Sequence, residues 1–302
     1  MKIMKYIVPA LLGGMLTLQS CEHFLDTKPT ETYSEELVWG SRSTADAFVL
    51  RTYPDILGLY HDFWGDDQIT LNTILRQSCP GEARDLINRE HDFGFNKFSI
   101  IRRCNLIIEQ ASASTALSDL DKKELVAEGK MLRAMIYYYQ AKHCGRVIWV
   151  DRVLQVDDEF NLPLTESIDR TYDLILSDLD DAIAGLPEEY PAGRANANAA
   201  RALKSEVCLT AAAYTTDATR KKTLWEQAVV AVDAIQGYSL DANYGGMFNQ
   251  ENSYSSTEII LARYFSKENT NGGDTYMQTV IPNQGNDKQV HISEPTRPEP
   301  IS

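Results

Sequence analysis

Between residues 61 and 94 the chain carries Trp64, Asp66, Asp67, Asn72, Arg76, Arg84 and Asp85, in a stretch with no sustained hydrophobic period that is interrupted by Gly65, Pro80, Gly81 and Gly94. An aromatic face stacks on the C–H face of a sugar ring, and carboxylate, amide and guanidinium groups fix its hydroxyls. These residue types therefore suit a saccharide-binding surface. A long irregular stretch between helices is a usual place for one. Plainer readings stand beside it: Trp64 also suits a core, and Arg84 with Asp85 an ordinary surface pair.

Catalysis needs more than these types. Asp66 and Asp67 would serve a glycosidase only with two carboxyls set about 5–9 Å apart across a cleft, which adjacency in the chain does not supply. His23, His61, His91, His143 and His291 have no HExxH-type spacing, and there is no phosphate-binding glycine loop, nucleophile elbow or Cys-His pattern. The expectation is binding without turnover, with no catalytic residue, metal or cofactor.

The elements around the stretch read as helices. Residues 43–60 carry a capping box from Ser43 to Asp46, then Ala47, Phe48, Leu50, Tyr53, Ile56, Leu57 and Tyr60, with Pro54 placed to kink or split the helix. From Ser99, Ile100, Ile101, Cys104, Ile107, Ile108 and Ala111 share a face. In 122–150, Leu125, Gly129, Leu132, Ile136, Tyr139 and His143 step by three and four, opened by Ser118 with Asp121 and closed at Gly145. The other helices are expected to lie against this one.

A stripe of Tyr172, Ile175, Leu176, Leu179, Ala182, Ile183 and Leu186 follows, stopped by Pro187; Asp178, Asp180 and Asp181 read as its solvated face rather than a metal cluster. Ala200, Leu203, Val207, Ala211 and Tyr214 mark a helix rich in small residues, which lets neighbours approach closely. Thr223 to Glu226 reads as a capping box for a last helix with Trp225, Ala228, Val229, Val232 and Ile235, ending at Gly237. Residues 257–261 are apolar and β-prone, and beyond Ser266 the chain turns polar and glycine-rich.

The formal net charge is −14, which repels phosphate backbones and argues against nucleic acid as a partner. Five cysteines, at 21, 79, 104, 144 and 208, form no CxxC pair. Cys104, Cys144 and Cys208 read as buried packing residues. Cys21 reads differently: Lys2 and Lys5, an apolar run from Tyr6 to Leu18 and then Leu18-Gln19-Ser20-Cys21 form a signal peptide over 1–20 with a lipobox. Cleavage before Cys21 and its acylation would anchor the chain to a membrane.

The wording of several segments resembles the SusD/RagB family of nutrient-binding lipoproteins. Phe24, Leu25, Asp26 and Pro29 follow the lipobox as in that family, and Leu132, Arg133, Ala134, Tyr137, Tyr138 and Gly145 fill its central-helix pattern, with Ile148 where proline is usual. Asn105 within FNKFSIIRRCNLIIEQA, the run YDLILSDLDDAIAGLP, the run GRANANAARALKSEVCLTAAAYT and the run YSLDANYGGMF match further segments in order. The resemblance implies an all-α, mainly helical domain over 21–302, built on tetratricopeptide-like helix pairs with long irregular loops and minor β structure. Family members run on well past this length, so the chain reads as C-terminally short. The resemblance also implies an outer-membrane lipoprotein that binds a glycan and delivers it to a SusC-like TonB-dependent transporter, with the 61–94 region contributing to the ligand surface. Peptide cargo stays open. So do two other classes, a helical-repeat scaffold lipoprotein that binds protein partners and a surface hydrolase.

Overall fold

A computed structural model of the chain describes residues 35–59, 96–245 and 256–264. The chain divides after Tyr238 into two units. Among the described residues there are eight helices, all in the first unit: α1 Glu35–Val38, α2 Arg42–Leu50, α3 Tyr53–Leu59, α4 Phe98–Ala113, α5 Asp119–Cys144, α6 Ile168–Gly185, α7 Ala197–Tyr214 and α8 Ala218–Asp233. In the second unit, the Ser239 N–H donates to the Thr257 carbonyl and the Asp241 N–H to Glu258 Oε1. Residues 257–261 form turns and bends, and no described residue is in a strand, so the expected minor β structure is absent there.

From α4 onward each helix packs on the next in sequence, giving a row in which α5 and α6, then α7 and α8, form successive pairs. Helices α2 and α3 lie on α5. As expected at Pro54, the 43–60 pattern is split in two. The cap is Ser41, not Ser43: its backbone is extended and its side chain accepts from the Thr44 N–H, which leaves Ser43 inside the first turn. Likewise α8 opens five residues before Thr223, because Asp217 accepts from the Arg220 N–H. Thr223 then sits mid-helix and bonds back to the Thr219 carbonyl.

Helix α5 is the centre. Leu125, Gly129, Leu132 and Ile136 are buried as expected, but so are Ala127, Glu128, Met131, Arg133, Ala134, Met135, Tyr137, Tyr138, Gln140 and Ala141. A helix wrapped on nearly every side needs neighbours at close range, and two glycines provide it. A Cβ on Gly129 would meet Ile107 and Ile108 side chains of α4 at 3.0 and 2.9 Å, and one on Gly185 of α6 would stand 2.5 Å from Ala127 Cβ. The last turn of α5 emerges from the core, leaving Tyr139 half-buried and His143 exposed. Cys144 is exposed there too, against the packing role expected for it, while Cys104 and Cys208 are buried free thiols.

Asp178 is not part of a solvated face. It is buried, and Arg133 forks onto it with Nε and Nη2 each 2.7 Å from a carboxylate oxygen. Arg133 Nη1 also donates to Asn105 Oδ1 at 2.9 Å and to the Asp151 carbonyl. Asn105 Nδ2 in turn donates to the carbonyls of Val150 and Arg152, both at 2.9 Å. The Val150 N–H donates to Tyr137 Oη at 2.6 Å and the Val153 N–H to Glu109 Oε1 at 2.7 Å. Residues 147–154 thus lie in no helix or strand, and the backbone groups of Val150, Asp151, Arg152, Val153 and Leu154 are met by side chains of α4 and α5. Trp149 stacks on Tyr137 with centroids 4.1 Å apart.

Arg133→Met leaves Asp178 buried and unpaired, and is expected to cost about 3–5 kcal/mol in urea unfolding. Adding Asp178→Leu removes the orphaned carboxyl and should recover about half or more of that loss. A double variant no more stable than Arg133→Met would contradict the pairing.

Candidate functional site

Helix α3 hands the chain to residues 60–95, and α4 takes it up again. The binding candidates Trp64, Asp66, Asp67, Asn72, Arg76, Arg84 and Asp85 lie outside the described residues, as do Cys21 and the signal peptide. What the structure gives is the frame at both ends of that stretch. Arg103 Nη1 of α4 donates to Asp55 Oδ2 of α3 at 2.7 Å, tying the exit to the re-entry.

Tyr53, the first residue of α3, anchors the exit more deeply. Its hydroxyl donates to Glu128 Oε1 and accepts from the Ala195 N–H at 3.0 Å. Glu128 is fully buried in the middle of α5, where a lone carboxylate would be costly to desolvate. Arg194 answers it with a bidentate fork, Nε to Oε1 at 2.8 Å and Nη2 to Oε2 at 2.6 Å. The same Nη2 donates to Asp46 Oδ1 at 2.6 Å. Arg42 then carries the cluster outward to Asp46 at 2.9 Å, Asp121 at 2.8 Å and Glu124 at 2.7 Å, and donates to Tyr190 Oη. The Arg194 guanidinium also lies over the Tyr190 ring, 4.4 Å from its centroid.

Burial works against ionisation of Asp46, but hydrogen bonds from Arg194 and Arg42 outweigh it and hold the carboxyl below its ordinary range. Asp121 is also held down, by hydrogen bonds from Ser118 and Arg42. Burial and then the Glu128 charge push the Tyr53 phenol well up. Both Glu128 carboxylate oxygens and the Tyr53 hydroxyl are engaged within the cluster, and its charges are paired with one another. It holds α2, α3 and the loop before α7 against α5. It fixes the start of α3, the helix from which the chain leaves for residues 60–95.

This cluster was missed by pattern reading. Its clue was Glu128 between Ala127 and Gly129, in the apolar middle of a core helix, where a carboxylate demands a cation from elsewhere.

A groove of about 620 Å³ opens between α6 and α8, lined by Asp173, Asp180, Asp181, Asp217 and Arg220 among others. Its carboxylates are already engaged: Asp173 with Arg220 at 2.7 Å, Asp180 with Lys204, Asp181 with Lys130, and Asp217 as the α8 cap. Asp180 and Asp181 do face solvent, as expected. No group of three or more His, Cys, Asp or Glu among the described residues is placed to hold a metal, and no described helix is long and apolar enough to cross a membrane.

No family model matches the chain. It is 26% identical to a SusD-like protein of Bacteroides ovatus over 55% of its own length and 31% of the relative's, and 25% identical to the SusD-like protein P25 of Formosa agariphila over 99% and 60%. Among solved structures, a SusD-like protein from Bacteroides fragilis is 26% identical with a TM-score of 0.62, over 78% of this chain and 47% of that one. Bacteroides fragilis NanU shares the fold at 18% identity and a TM-score of 0.65, over 82% and 52%. The chain therefore spans less than two thirds of the length of each.

Because Asp46 and Asp121 have folded-state pKa values below their unfolded ones, their stabilisation is complete above the unfolded Asp value of about 4 and is lost as pH falls through the folded values. Asp178, which burial raises despite its bonds from Arg133, acts in the opposite sense. Comparing wild type with Asp46→Asn separates the two: the variant should be about 1–2 kcal/mol less stable near neutrality. The gap should close below about pH 4. Thermal unfolding across that range is the check, and a gap that does not change with pH would refute it.

Proposed function

We infer that this chain, a relative of the SusD-like proteins in sequence and fold, is a surface lipoprotein that captures a glycan and passes it to a SusC-type TonB-dependent transporter. The observation that carries the reading is the likeness to a SusD-like protein across 99% of the chain. The residue types at 61–94 agree with it, since Trp64 offers a stacking face and Asp66, Asp67, Asn72, Arg76, Arg84 and Asp85 offer hydroxyl partners. Acylation at Cys21 would hold the protein at the outer membrane. The chain would do no chemistry: it would bind, and release as the transporter competes for the ligand.

A second reading, a helical scaffold for protein partners, draws support from α8. Trp225, Val229 and Val232 share one face of that helix and are 52%, 56% and 49% exposed, so the apolar face expected to enter the core points largely outward.

The mature chain carrying Cys21→Ser, run in native gels cast with pullulan, xylan, galactomannan or mixed-linkage β-glucan, separates these readings. Glycan capture predicts retardation by at least one polysaccharide, weakened about tenfold in Trp64→Ala through loss of the stacked ring. Migration unaffected by every polysaccharide in a chain folded by circular dichroism would favour the scaffold.

A further inference from the structure

The connection from α5 to α6 is a closed loop. At its base the Thr165 N–H donates to the Val147 carbonyl at 2.8 Å, and Arg146 donates to the Thr165 carbonyl. Its inner arm, 147–154, is fastened to α4 and α5 as described, with Arg102 Nη1 reaching the Leu154 carbonyl at 2.7 Å. Its outer arm, 155–164, is braced by a fork from Arg152 onto Asp158 at 2.6 and 3.0 Å and by the Gln155 N–H donating to the same carboxylate.

This braced arm displays apolar side chains to solvent. Val156 is 92% exposed, Phe160 63% and Leu164 49%. Exposing a phenylalanine on a fixed loop forgoes burial that a mobile segment could recover by folding back. Residues 155–164 contain Asp157, Asp158 and Glu159 and no lysine or arginine. Asp158 is taken by Arg152, whereas Asp157 has no ion pair among the described residues. The arm is thus an apolar anchor with an acidic border. A surface of that kind is repelled by anionic lipid and by other acidic surfaces, including much of a second copy of this chain, whose net charge is −14. Its complement is a protein surface with an apolar pocket rimmed by lysine or arginine. Because the loop is already ordered, little conformational entropy is lost when it docks.

We propose that the 155–164 arm is a docking surface, with Phe160 inserting into a basic-rimmed apolar pocket on the transporter partner. The inference rests on the transporter reading above and adds the face that would make the contact.

The test places the photo-crosslinker p-benzoylphenylalanine at position 160, and in a separate chain at position 222 on α8, in cells making the full chain and its transporter. The expected result is a covalent adduct with the transporter from 160 and none from 222, together with about tenfold less transporter co-purifying with Phe160→Asp than with wild type. The exposed position of Phe160 lets that variant fold, which an unchanged circular dichroism spectrum and Tm would verify. An adduct of 160 with a second copy or within the same chain overturns the proposal, as does an equal adduct from 222. Full co-purification by Phe160→Asp overturns it while leaving the transporter reading in place. A wild-type chain that retains no transporter overturns both.

Discussion

The structure turns on two opposite charges buried in one helix. Glu128 and Arg133 lie five positions apart on α5, which sets them about 140° apart around its axis, so neither can neutralise the other. Each must be met by another element. Glu128 draws Arg194 and Tyr53 from one side; Arg133 draws Asp178 and Asn105 from the other. The outcome is that α5 can sit in only one rotation and one height relative to its neighbours. Apolar packing alone would tolerate sliding by a turn, because Ala, Leu, Ile and Met accept one another at modest cost.

Such pairs contribute little net stability, since desolvation cancels much of their attraction. Their effect is to make wrong arrangements expensive. The same logic carries outward. Arg42 and Arg194 share Asp46 and also reach Glu124 and Glu128 of α5, so α2, α5 and the loop before α7 are tied together. Asp55 with Arg103 then sets the gap between α3 and α4, from which the 60–95 stretch must start and to which it must return. The candidate binding residues lie outside the described residues, but the helices on either side of them are tied to each other and to α5.

Local rules were legible in the sequence, and long-range partners were not. The Pro54 break, the α6 stripe and the Ser118 and Gly145 boundaries all depend on residues within a few positions of one another. So do caps, and there the competition was misjudged: Ser41 lay two residues upstream of Ser43, and Asp217 six upstream of Thr223. Asp178 looked solvated because its neighbours Asp180 and Asp181 are. Only the arrival of Arg133, 45 positions earlier in the chain, accounts for its burial. Spacing cannot reveal a partner at that separation. In α8, Trp225, Ala228, Val229 and Val232 have the period of a core face, yet of these only Ala228 turns inward, beside Leu224 and Ala231. For the candidate site, residue types were readable and their mutual geometry was not, since an irregular stretch has no period from which to infer which side chains converge.

The way the segment 147–154 is held has a kinetic consequence. It belongs to no helix or sheet, so by secondary structure alone its amides would be expected to exchange with solvent as readily as those of any loop. Yet the amides of Val150 and Val153 are held by Tyr137 and Glu109, side chains rooted in the two helices that form the heart of the fold. Exchange at those amides requires those two bonds to break. A stretch with the outward character of a connector is therefore expected to protect those two amides more than a loop bonded only to water, in step with the stability of the helices that hold them.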